Sequence, residues 1–167
     1  MVIRIKMLVS LILVSIINIS AADTKKDVYL INETNKTLAN IENTALKYKR
    51  EIDQLMIFAI TQKDQSINAA NKRGEKMEIL VTNLTVILNM ALDVSVPNLE
   101  NKTTKGFIEK AIDAHKHWAI SQSGRLSALF SVNSKDIEKF QDEADHYAMV
   151  EASFLLLADE SIKYAEK

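Results

Sequence analysis

Three histidines, 22 carboxylates and no cysteine set the chemistry open to this 167-residue chain. Without a thiol there is no cysteine nucleophile, no disulfide scaffold and no cysteine-ligated zinc or iron–sulfur site. Metal or acid–base work would fall to the histidines. Asp113, His115 and His117 stand close together, but helix positions two apart point about 200° from each other, so one ion cannot take both histidines. Glu143 and His146 form a Glu-x-x-His step, which does put both side chains on one face. Di-iron bundles need two such steps and two further glutamates turned inward. The second step is absent, and the first lies on the flank of its helix. No metal ligand set and no cofactor follow.

Two polar residues fall on otherwise apolar faces. His115 shares its face with Ile108, Ala111, Ile112 and Ala119 and reads as a hydrogen-bonded core or rim histidine. Glu151 lies between Ala148 and Leu155 on an apolar stripe. A carboxylate buried there must be paired, hydrogen-bonded or neutral, and would bind a ligand, set the register of the helices or hold a proton. A slight rotation of its helix puts it at the rim instead, and the rim is the plainer reading. No G-x-S-x-G elbow, phosphate loop or H-E-x-x-H occurs. No catalytic residue is assigned, and the chain reads as a non-enzyme.

Asn32, Asn35, Asn83 and Asn101 each begin an Asn-x-Thr sequon, a glycan acceptor in a eukaryotic secreted protein. Asn101, in a loop after Pro97, reads as the best acceptor. Asn83, in the most apolar segment, reads as the worst.

The elements that must position these residues are helices. Ile31, Leu38, Ala45, Ile52 and Ala59 recur every seven residues, and Ile41, Tyr48 and Leu55 form a second row three behind. Two such rows make one narrow seam along a helix, as in a coiled coil or bundle. Thr34 and Gln62 stand at its polar ends, and no Gly or Pro interrupts it before Gly74. With only three Gly and one Pro, the chain lacks the turn chemistry of a β-rich fold.

The first helix is expected from about Val28 to Lys72 after a frayed, charged stretch over 23–27, with a break near 62–66 or an overhanging end. A second is expected over 75–94, with Met77, Leu80, Val81, Leu84, Ile87, Leu88 and Ala91 as its core face. Ile79, Val86, Met90 and Leu92 also need cover, so this helix reads as packed on two sides or as carrying a hydrophobic surface. Further helices are expected over 103–130 and 135–165, with Asn133 or Ser134 capping the last. The fold class is all-α. The architecture is an antiparallel up-and-down bundle of four helices, or five if the first breaks.

Residues 1–22 read as a cleaved signal peptide. Arg4 and Lys6 precede an apolar run, and Ser20-Ala21-Ala22 supplies the small residues of a cleavage site. Residues 23–167, about 145 of them, then form a single domain large enough to do without disulfides. Losing Arg4 and Lys6 shifts the formal charge from −1 to about −3, which argues against a nucleic-acid partner. The expectation is a secreted protein, periplasmic if bacterial, that binds a protein partner or itself through the seam between Ile31 and Gln62. The alternative is a carrier of lipid or another small apolar ligand, with a cavity between its helices.

Overall fold

The computed structural model describes residues 21–61, 67–131 and 133–165. Among the described residues there are four helices: α1, Ala21–Thr61; α2, Ile67–Leu92; α3, Lys102–Phe130; and α4, Ser134–Ala165. The leader expected over 1–22 lies outside the described residues apart from Ala21 and Ala22, and so does the expected break at 62–66. No helix among the described residues is long and apolar enough to cross a membrane.

Pairing between elements fixes the direction of each helix. Asp27, Glu42 and Asp53 of α1 meet Asn101, His115 and Arg125 in the same order, so α1 and α3 run parallel. Along α3 and α4 the order reverses: Thr104 bonds Ser161, and His115 bonds Glu151. Packing joins α1 to α2, α2 to α3, α3 to α4 and α4 back to α1. This is the up-and-down four-helix bundle that short connections favour.

The seam of α1 is buried by the chain's own helices. Ile31, Leu38, Ala45 and Ile52 are each at most 2% exposed, and a fully buried Leu or Ile is worth about 1.5–3 kcal/mol over an exposed one. Self-association through this part of the seam is therefore corrected: those positions are already occupied. Among the described residues of this row, Ala59 is exposed.

Two helix boundaries also differ from expectation. α1 starts before Val28, and Thr24 and Asp27 are buried. The reason is local, because the Asp27 carboxylate accepts the backbone N–H groups of Glu100 at 3.0 Å and Asn101 at 2.9 Å. The stretch that reads as a charged fray is tied to the far loop. At the other end, residues 67–72 belong to α2, and Gly74 lies inside that helix rather than after one. A mid-helix Gly costs only about 1 kcal/mol, less than the packing of α2 recovers.

Gly124 of α3 faces the Phe140 ring of α4. A Cβ there would lie 2.6 Å from the Phe140 ring. Gly124→Ala is expected to lower the unfolding free energy by about 1–3 kcal/mol through overpacking, whereas Gly74→Ala, with open space around it, should raise it by about 1 kcal/mol. Urea denaturation of the two variants checks both signs. Equal stabilisation by both would mean that α3 and α4 do not approach at this point.

The core has two parts. One gathers Ile31, Leu38, Leu99, Ile108, Ile112, Ala158 and Ile162. The other is built from Ala45, Ile52, Leu80, Leu84, Leu88, Trp118 and Ala144, among others. In sequence, His115 falls midway between Ile112 of the first part and Trp118 of the second. The polar groups of the site lie at that junction.

Candidate functional site

Three helices each send one ionisable side chain into the junction. α3 supplies His115, which is fully buried; α4 supplies Glu151, 4% exposed; and α1 supplies Glu42, whose side chain is 27% exposed. The spacing that makes each apolar stripe also aims these residues, since Glu42 follows Leu38 and precedes Ala45, and Glu151 sits between Ala148 and Leu155. The rim reading of Glu151 is thereby corrected. Its helix is not rotated outward, because Ala144 and Ala158, each seven residues away, are completely buried on the same face.

Nδ1–H of His115 donates to Glu151 Oε2 at 2.9 Å, and Glu42 Oε1 lies 3.8 Å from the same nitrogen. One ligand atom from each residue falls within 4.8 Å of the others. The ring plane is held by Trp118, stacked with centroids 5.3 Å apart. Nε2 of His115 is buried and has no hydrogen-bond partner among the described residues.

Electrostatics favour the charged imidazole. Burial pulls its pKa down, but the hydrogen bonds and negative charges of Glu151 and Glu42 outweigh this and hold it up to about 9. Burial pushes the Glu151 carboxyl above its ordinary range, against the pull of His115. The arrangement can hold a proton between buried groups or coordinate a cation.

The other polar residues stay apart from this cluster. His117 turns outward, donating from Nδ1 to the Asp113 carbonyl at 2.9 Å and stacking on Tyr147. Glu143 pairs with Lys139 at 3.8 Å, while His146 meets the edge of Tyr147. A second polar group ties the bundle further along: Arg125 donates to both carboxylate oxygens of Asp53 at 2.9 Å, and Lys49 bonds Gln141. Burial, then the nearby Arg125 charge, lowers the Lys49 pKa.

The sequons change order. Asn101 is 3% exposed, and its Oδ1 caps α3 by accepting Thr103 N–H at 3.0 Å and Thr104 N–H at 3.1 Å. That burial removes the open-loop setting on which Asn101 reads as the best acceptor. Asn32 is exposed, whereas Asn35 and Asn83 are half-buried.

Comparison with protein-family models, curated proteins and solved structures finds no match to this chain.

The outer face of α2 is the second feature of note. Leu80, Leu84, Leu88 and Ala91 are buried, but Ile79, Val86 and Met90 are 60%, 53% and 51% exposed. Packing on two sides does not extend round this helix, which touches α1 and α3 and leaves its third side open. Met90 also lines a surface cleft of about 470 Å³ with Leu30, Thr34, Ile41, Val94 and Pro97.

Sequence reasoning singled out His115 and Glu151 as a candidate buried polar site, and it missed Glu42. The signal for Glu42 was its place beside the first seam, one residue after Ile41 and three before Ala45.

Proposed function

We propose that this chain is a secreted interaction module without catalytic activity that binds another macromolecule through the outer face of α2. The observation that carries the reading is the exposed row Ile79, Val86 and Met90. Spacings of seven and four residues put them on one side of the helix, with polar Thr82 and Asn83 between the first two, and exposed apolar groups gathered on one side mark interaction surfaces. The non-enzymatic part is supported by the burial of His115 and Glu151, which leaves a substrate no direct approach to either. Secretion is supported by the leader-like composition of residues 1–22.

The test places a photocrosslinking residue at position 86, and in a second protein at Ser153, exposed on α4. Both are irradiated in the extracellular fluid of the source. Adducts from position 86 that are missing at 153, and that Met90→Glu suppresses, are the expected result. No adduct from 86, or the same adducts from both positions, would refute the α2 face.

One observation favours the second reading, a carrier of a small apolar ligand. The cleft beside Met90, about 470 Å³, falls in the ~300–1,000 Å³ range of small-molecule sites. It lies on the surface rather than between the helices. Native mass spectrometry of protein purified from its source distinguishes the two: a bound mass that leaves in organic solvent identifies a carrier.

A further inference from the structure

We infer that Glu42, His115 and Glu151 form a binding site for one divalent metal ion of the zinc type. One oxygen from each carboxylate and Nδ1 of the imidazole are its ligands.

The geometry comes first. Zinc binds imidazole nitrogen and carboxylate oxygen at about 2.0–2.2 Å, which sets tetrahedral ligands about 3.2–3.6 Å apart. Nδ1 lies 2.9 Å from Glu151 Oε2 and 3.8 Å from Glu42 Oε1, values that bracket this separation. All three ligand atoms lie within 4.8 Å of one another. To close round a common centre the Glu151–Nδ1 separation must open and the Glu42–Nδ1 separation must shorten, both by side-chain rotation.

Two carboxylates face one buried imidazole, and an imidazolium neutralises only one of them. A divalent ion with a neutral imidazole balances both, so the junction between the two halves of the core carries no net charge. Burying an unbalanced charge is costly, and the ion removes that cost.

His115 is fully buried and the Glu151 side chain is 5% exposed, but Glu42 is 27% exposed. The ion enters past Glu42, and a water from that side completes the coordination, as at three-ligand zinc sites with an open position. A mixed nitrogen and oxygen set without sulfur suits zinc or manganese, whereas calcium and magnesium take oxygen alone.

The affinity is set lower than at a fully supported site. With Nδ1 on the metal, the proton of the ring sits on Nε2, which has no acceptor among the described residues. Missing outer partners of this kind weaken binding about 10–100-fold. Stacking on Trp118 still fixes the ring.

The test uses the purified protein stripped with EDTA and dialysed. Zinc chloride is titrated by calorimetry, and cobalt chloride is followed by visible absorption. Binding of one ion per chain at micromolar concentration is expected, with cobalt d–d bands of a four-coordinate nitrogen–oxygen site. Glu42→Gln keeps the size of a partly exposed side chain and so keeps the fold; it should weaken zinc about tenfold or more. His115→Gln should abolish the cobalt bands. No binding at tens of micromolar zinc would overturn the site. So would binding that Glu42→Gln leaves unchanged and that the double variant His117→Gln, His146→Gln removes, since the ion would then sit on the surface.

Discussion

Glu151→Ala is expected to cost about 3–5 kcal/mol of unfolding free energy in metal-free protein, the largest effect of any single truncation at the site. The glutamate is 4% exposed and accepts a 2.9 Å hydrogen bond from a fully buried imidazole. Removing it leaves His115 with Glu42 at 3.8 Å as its remaining carboxylate and opens a small void beside Leu155. That remaining partner puts the expectation at the lower end of the range. Replacing both partners, His115→Leu with Glu151→Leu, should cost much less, because no buried charge is left uncompensated. Urea denaturation at pH 7 in EDTA compares Glu151→Ala with the parent, and His115→Leu, Glu151→Leu and their double variant complete a cycle. A Glu151→Ala protein within about 1 kcal/mol of the parent would mean that the pair contributes nothing to the fold.

The helices were legible because their signal is periodic. The rows at Ile31, Leu38, Ala45 and Ile52 and at Leu80, Leu84, Leu88 and Ala91 repeat at helical spacing, and both are buried where the repeat puts them. The boundaries were not legible where a distant group decided them. Asp27 reads as part of a charged fray until Glu100 and Asn101 are seen to donate to it across 73 and 74 residues of chain. Asn101 likewise reads as an open loop acceptor, yet its short polar side chain before Lys102 is also the mark of an N-cap, and the cap is what the structure shows. Gly74 reads as a helix stop, but a stop needs the chain to leave the helical path, and a Gly kept inside a helix costs only about 1 kcal/mol, as it is within Ile67–Leu92.

The site was half legible for a related reason. A polar residue on an apolar stripe is visible within its own helix, so Glu151 and His115 stood out. Their meeting is a matter of register between α3 and α4, which no single helix records. Glu42 was hidden because a glutamate one residue off a seam is ordinary in any bundle. Only the parallel alignment of α1 with α3 brings it level with His115.

Raising the pH should weaken this bundle where ordinary carboxylate pairs would leave it unchanged. In EDTA-treated protein, His115 has a folded pKa of about 9, against about 6.5 for an unfolded histidine. The folded state therefore binds this proton more tightly, and the stabilisation is fully present below about pH 6.5 and is lost as pH rises through about 9. Its size is on the order of 3 kcal/mol. The groups that create it are Glu151 from α4 and Glu42 from α1. Burial also raises the Glu151 carboxyl, an effect of the same sign, since its stabilisation likewise lies on the low-pH side. Urea denaturation at pH 6, 7.5 and 9 should show the decline, and His115→Gln should flatten it. Zinc should flatten it too, because a metal-bound imidazole is already neutral and both carboxylates are balanced by the ion. A level profile in EDTA would sink the charged-imidazole account: the folded state would then hold no extra proton over this range, either on His115 or on Glu151.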